Sequence, residues 1–146
     1  DIGVIDSPLR PGQFRLMPDA AEAIRRLNSL GLKVVVVSNQ PAVAKGKMTM
    51  RDFEMIQMKM KRELKKNGAH IDAEYYCFHH PSATRKEYRE NCDCRKPEPG
   101  LLLRAANDLG LSLRNSFMVG DSLVDVEAGK RVGCVTCQMR PLQSDG

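Results

Sequence analysis

"GLKVVVVSNQP", residues 31–41, sets four consecutive valines between a glycine and a polar tail. A short β-branched run bounded by turn formers reads as a strand, and an unbroken apolar run reads as one buried on both faces. The segment ahead of it, "MPDAAEAIRRLNSLG", opens on Pro18 and Asp19, repeats apolar residues at Ala20, Ala23, Ile24, Leu27 and Leu30, and stops at Gly31. That spacing predicts a surface helix with one packed face. A helix feeding a buried strand is the building unit of an α/β sheet.

The alternation continues outward. Thr49, with Asp52 three residues on, begins a second helix whose stripe is Phe53, Ile56, Met60 and Leu64 and which ends before Gly68. Methionines 48, 50, 55, 58 and 60 fall on both sides of it and read as gap-filling and surface residues. "AEYYCF" is a further extended segment, followed by a polar loop from about His79 to Lys96. Helix "PGLLLRAANDLG", strand "SFMVGD", helix "SLVDVEAGKRVG" and strand "CVTCQ" complete the series. The order predicts a three-layer α/β/α fold: a mostly parallel sheet covered on both faces, with its working edge at the carboxyl ends of the strands. At 146 residues and 42% hydrophobic the chain suits one domain, spanning 1–146.

Composition narrows the class. No apolar run approaches membrane-spanning length, and the start "DIGVIDSPLRPG" lacks the layout of a signal peptide, so a cytoplasmic location is expected. The net charge of +5 draws heavily on "KMKRELKKNG", which reads as a solvated helix face. Neither a membrane nor a nucleic acid is therefore the expected partner, and a monomer is expected. Five cysteines, an odd number, argue against a disulfide framework and leave metal ligands or buried thiols.

Three strand ends carry unusual chemistry. "VVVVSNQP" ends in a hydroxyl and two amides, "FMVGD" in Gly-Asp, and "CDCRKP" brings Arg95 and Lys96 after the polar loop. Taken singly they suit a polar turn, a helix N-cap and an exposed corner. Taken together they place donors, cations and a carboxylate on one edge, as a transferring phosphoryl group needs. Ser38 with nearby backbone N–H groups and the Lys96 ammonium would neutralise its oxygens, while Asp121 holds a divalent cation, Mg²⁺ by its preference for oxygen ligands. Asp125, four residues on, would brace that ion through its other ligands.

Cysteine spacing adds a second centre. Cys77, Cys92 and Cys94, with His79 or His80, form a C-x-H and C-x-C set. Three thiolates and an imidazole close a tetrahedron around Zn²⁺ with no open position, which makes the zinc structural. Its task would be to order a loop poor in apolar residues and so hold Arg95 and Lys96 at the phosphate site. Cys134 and Cys137 lie in an expected strand and read as small buried hydrophobes.

These motifs, in this order, resemble those of the haloacid-dehalogenase-like phosphatases, with "VVVVSNQ" as the second motif, Lys96 as the third and "GDSLVD" as the fourth. "FRLMPDAAEAIRRLNSLGLKVVVVSNQ", "YYCFHHP" and "CDCRKPEPG" are similar to the branch containing the heptose bisphosphate phosphatases and the histidinol phosphatases. The resemblance covers essentially the whole chain. It implies a Rossmannoid fold with a zinc loop at about 77–96, and it selects His79 over His80 as the ligand. It further implies Mg²⁺-dependent removal of the C7 phosphate of D-glycero-D-manno-heptose 1,7-bisphosphate through an aspartyl-phosphate. Arg95 would meet the substrate or its second phosphate, and Ser38, Asn39, Gln40 and Pro41 would line the leaving-group side. Histidinol phosphate and a polynucleotide 3′-phosphate are alternative substrates, and a catalytically inert zinc-stabilised binding domain is the alternative of another class. The family's nucleophile sits in an Asp-x-Asp pair at the end of a first strand, and no Asp-x-Asp occurs in these 146 residues. The first strand and the nucleophile are thus expected upstream of Asp1.

Overall fold

The computed structural model describes residues 8–17 and 19–140. Helices α1 (Ala20–Ser29), α2 (Pro41–Ala44), α3 (Met50–Lys66), α4 (Gly100–Leu109) and α5 (Leu123–Arg131) alternate with strands β1 (Val35–Asn39), β2 (Ala73–Cys77), β3 (Phe117–Gly120) and β4 (Val135–Gln138). Three short 3-10 turns stand at Pro11–Gln13, Lys86–Tyr88 and Leu113–Asn115. β1 pairs with β2, and β3 pairs in parallel with β4, Phe117 facing Val135 and Gly120 facing Gln138. Every element expected from the sequence is present. Pro18, expected to open α1, lies outside the described residues. No helix among the described residues is long and apolar enough to cross a membrane.

The chain packs as two compact units. The first comprises the described residues up to Val36, Gln40–Glu74 and Phe78–Asn91. Its core joins Ala21, Leu64 and Ala69, with Leu16, Ile24, Met60 and Ile71 packed against them. α3 starts as its sequence requires: the Asp52 N–H donates to Thr49 Oγ1 at 3.1 Å and the Thr49 N–H returns a bond to Asp52 Oδ2 at 3.4 Å. It ends at Gly68, whose φ of +71° lets the Ala69 N–H turn back to the Leu64 carbonyl. Phe53, Ile56 and Leu64 are buried on it, whereas Met55 and Met58 are exposed. α1 departs from its expected stripe. Ala21 and Ile24 pack against the core, but Leu27 and Leu30 are exposed, and the last turn is held instead by the Asn28 amide, which donates to the His70 carbonyl and accepts its N–H.

The second unit comprises Val37–Asn39, Tyr75–Cys77 and the described residues from Cys92 onward. One cluster gathers Cys77, Cys94 and Leu101 with Val37, Tyr75 and Cys92. Another gathers Leu102, Met118 and Ala128 with Val37, Leu113, Val132 and Cys134. Gly129 lets α5 lie close on the sheet, since a Cβ there would press on the side chains of Met118 and Thr136. The sheet expected to be covered on both faces is covered on one here. Met118 is 6% exposed, while Phe117, Val119 and Val135 are 65%, 54% and 53% exposed. α4 and α5 reach only the Met118 face, and no described residue covers the other. Cys137 shares that open side and is exposed, so of the two C-terminal cysteines only Cys134 is packed as expected.

Candidate active site and thiol cluster

The site grows from the carboxyl end of β1. The Ser38 hydroxyl donates to the Asn39 carbonyl at 3.3 Å. The Asn39 side-chain amide turns to the Lys96 backbone, donating through Nδ2 to its carbonyl at 3.1 Å and accepting its N–H on Oδ1 at 2.9 Å. The Lys96 side chain then runs back to the same strand. Its ammonium donates to the Val37 carbonyl at 3.1 Å and to Asp125 Oδ1 at 2.5 Å. An ammonium has three N–H donors, so among the described residues one is left for an oxygen of a ligand.

Asp125 comes from the first turn of α5 and is the one buried charged residue described. Its other oxygen accepts the Ser122 N–H at 3.2 Å and the Ser122 hydroxyl at 2.9 Å, the reciprocal cap of a helix N-terminus. Burial pushes this carboxyl up, but the Lys96 ammonium and the two Ser122 bonds outweigh burial and hold it below the ordinary carboxylate range. Gly120, the last residue of β3, makes room for it: a Cβ there would overlap the Asp125 side chain.

Asp121, expected to hold the cation, follows β3 directly and is exposed. Val37, Ser38, Asn39, Lys96, Asp121 and Asp125 all belong to the second unit. Gln40 and Pro41 belong to the first, with Pro41 starting α2, and Arg95 is half-buried. Asp125 was expected to brace a metal; the bonds the structure gives it go to Lys96 and Ser122. Asn39 was expected to face a substrate, and its amide is engaged by Lys96. Gly120 went unnoticed as a site residue, although a glycine between an apolar strand and the first carboxylate of "GDSLVD" marks a close approach.

The stretch 92–100 is held from several sides. The Gly100 N–H donates to the Asp93 carbonyl at 2.8 Å, and a Cβ on Gly100 would overlap the Asp93 backbone. The Glu98 N–H closes a turn onto the Arg95 carbonyl at 2.9 Å, and the Lys96–Pro97 peptide is cis. Arg131 of α5 pairs with Glu98 at 3.0 Å.

Three sulfurs meet at the base of this stretch. Cys94 Sγ lies 3.0 Å from Cys77 Sγ and 3.4 Å from Cys92 Sγ, and Cys77 and Cys92 are 3.5 Å apart. With one ring nitrogen of His79, two residues beyond Cys77, the four donor atoms fall within 4.8 Å of one another. Four ligands at about 2.3 Å from a zinc ion stand about 3.8 Å apart, so this donor set fits Zn²⁺ in number, softness and spacing. His80 is outside the group, and its Nδ1 accepts the Ser82 N–H at 2.9 Å. Burial pushes the Cys92 thiol up, yet bonds from Cys94, Cys77 and the Arg95 backbone bring it down to about 7. Cys94 is pushed up, by burial first and then by its two thiol neighbours.

Comparison with known proteins places this geometry. Residues 9–133 match the model of the haloacid dehalogenase-like hydrolases, and the chain belongs to that family. Its relatives include the D-glycero-β-D-manno-heptose-1,7-bisphosphate 7-phosphatases of Escherichia coli K12, 41% identical over 115 residues, and of Photorhabdus laumondii, 39% identical. Each alignment covers 79% of this chain, which spans 60% and 61% of the length of those two relatives. Among solved structures, the D,D-heptose 1,7-bisphosphate phosphatase of B. bronchiseptica, complexed with magnesium and phosphate, superposes with a TM-score of 0.80 at 32% identity, covering 88% of this chain and 68% of that one. A HAD-like phosphatase of Mesorhizobium loti gives 0.83 at 34% identity, covering 88% and 62%.

Proposed function

We propose that the protein is a Mg²⁺-dependent phosphatase of a small sugar phosphate, removing the C7 phosphate of D-glycero-D-manno-heptose 1,7-bisphosphate. One observation carries this reading: a largely withdrawn ammonium, with one N–H uncommitted among the described residues, stands at the carboxyl end of β1, in a chain about 40% identical to phosphatases of that substrate. Lys96 would donate this N–H to a phosphoryl oxygen, and Ser38 would line the same end of the strand. Electrostatic stabilisation of this kind is the main contribution a protein makes to phosphoryl transfer.

Asp121 would hold Mg²⁺, which supplies charge neutralisation at the phosphoryl oxygens when bound. Cys77, His79, Cys92 and Cys94 would hold a structural Zn²⁺ that fixes the residues leading to Arg95 and Lys96. Arg95, next to the cluster and half-buried, would meet the substrate or its second phosphate. The attacking carboxylate would come from the Asp-x-Asp pair that the family resemblance calls for and that these 146 residues do not contain.

The test is phosphate release, with Mg²⁺, by the full-length protein that carries the Asp-x-Asp pair, from the heptose bisphosphate, histidinol phosphate and a 3′-phosphorylated oligonucleotide. Release from the first, leaving the 1-phosphate, is expected. Turnover of either of the others alone overturns the substrate, and release from none of the three overturns the activity.

A further inference from the structure

We infer that Asn39 is a positioning residue that acts through Lys96 and does not contact the sugar. The inference rests on the reading of Lys96 as the phosphate cation. Asn39 and Lys96 are 57 residues apart, and the amide meets both polar groups of the Lys96 backbone, donor to acceptor and acceptor to donor. Such a two-point bond fixes the peptide planes on either side of the Lys96 Cα. The far end of the same side chain returns to β1, where the Val37 carbonyl takes one of its N–H groups. Lys96 is thereby strapped to β1 at both ends, by a side chain at Asn39 and a carbonyl two residues earlier.

The chemistry of the strap explains the residue type. A free lysine side chain carries much rotamer entropy, which a site relying on its ammonium must overcome. Fixing the backbone and the head group together removes that freedom before a ligand arrives, the preorganisation on which phosphoryl transfer depends. An amide satisfies both backbone groups from two separate atoms, its N–H meeting the carbonyl and its oxygen the N–H. A carboxylate at 39 would accept the Lys96 N–H but would face the Lys96 carbonyl with a second acceptor. Asn39 spends one N–H and its carbonyl oxygen here, which is why it cannot be assigned to the leaving group on its type alone.

Two measurements on the protein test this, with Asn39→Ala and the nearly isosteric Asn39→Asp. The first is hydrogen exchange of the Lys96 amide, which needs no turnover. Exchange should speed up by roughly fivefold or more in Asn39→Ala, as expected for loss of a bond of about 1 kcal/mol or more, and less in Asn39→Asp. Unchanged protection in Asn39→Ala overturns the inference. The second is kcat/KM for the heptose bisphosphate and for p-nitrophenyl phosphate. A residue acting through Lys96 sees only the phosphoryl group, so both esters should lose the same factor, about 10- to 100-fold. A loss confined to the sugar ester returns Asn39 to the substrate and overturns the inference. If the unsubstituted protein releases no phosphate from either ester, the proposed function fails and the exchange result alone decides the role of Asn39.

Discussion

Gly120 and Asp125 approach so closely that a single methyl on Gly120 would fall within about 2.5 Å of the Asp125 Cβ and Cγ. The end of β3 is thus moulded to a carboxylate on the next helix, and that carboxylate holds the Lys96 ammonium. The glycine serves the cation at one remove.

Gly120→Ala should therefore act at a distance. The added methyl has to displace Asp125, which is capped by Ser122 and paired with Lys96, so no flexible end is available to yield. Overpacking of this kind costs about 1–3 kcal/mol. Thermal unfolding should show that loss, and phosphate release should fall by roughly 10- to 100-fold through a displaced Lys96. Full activity in Gly120→Ala would show that the pair is not needed in this geometry.

The Lys96–Asp125 pair itself sets a pH dependence. Both side chains are largely withdrawn from solvent, at 11% and 8% exposure, so the pair is poorly screened. The folded-state pKa of Asp125 lies below its ordinary value. Its stabilising contribution is thus complete above the unfolded carboxylate pKa of about 3.9 and is lost as the pH falls through the lower folded value. Asp125→Ala leaves the ammonium buried without its partner and should cost about 3–5 kcal/mol near neutral pH. Denaturant unfolding of the two proteins at several pH values checks this: the gap should stay constant from about pH 5 to 8 and narrow below about pH 4. A gap that widens in acid would reverse the sign.

Much of this was legible in the sequence, because local spacing carries it. The alternation of helices and strands, the hydroxyl and amides after Val37, the thiol pairs and Lys96 all follow from patterns within a few residues. The partners of those residues did not follow. Asn39 meets Lys96 across 57 positions and Lys96 meets Asp125 across 29, and no periodicity reports such pairings. Periodicity states which face a helix can afford to bury, not what arrives to cover it, which is why Leu27 and Leu30 were expected to pack and are exposed. The open face of β3 and β4 has the same cause: strands alternating with helices predict a sheet covered on both faces, and among the described residues one cover is present.

Gly100→Ala tests how the cation is delivered. The amide at 100 bonds the Asp93 carbonyl, and the missing side chain allows that contact while α4 sets Leu101 against Cys77 and Cys94. A methyl would collide with backbone, which cannot rotate away. Destabilisation of about 2 kcal/mol or more is expected, with weakened zinc retention, whereas Gly12→Ala, where nothing lies within 4 Å, should change little. Equal effects of the two substitutions would remove the close approach as the cause.

Metal removal is the broadest test. Zn²⁺ binds thiolates, so protons compete with it, and the three sulfurs do not compete equally. Cys92, brought down to about 7, yields its proton near neutral pH, while Cys94, pushed up by burial and its neighbours, holds its proton until the ion arrives. Affinity should therefore fall as the pH drops below about 7, with proton release on binding. The protein should carry one zinc per chain by atomic emission. Stripping it should lower the melting temperature by on the order of 10 °C, because the cluster of Cys77, Cys94 and Leu101 loses the bonds that hold like groups together. Cys92→Ser should reproduce the loss and Cys137→Ser, at an exposed cysteine outside the group, should not. Phosphate release should return when Zn²⁺ is restored ahead of Mg²⁺ and stay low with Mg²⁺ alone, since an oxygen-seeking ion does not replace a thiolate-bound one. A stripped protein that melts and turns over like the untreated one would show that the backbone contacts of residues 92–100 order the Lys96 stretch unaided.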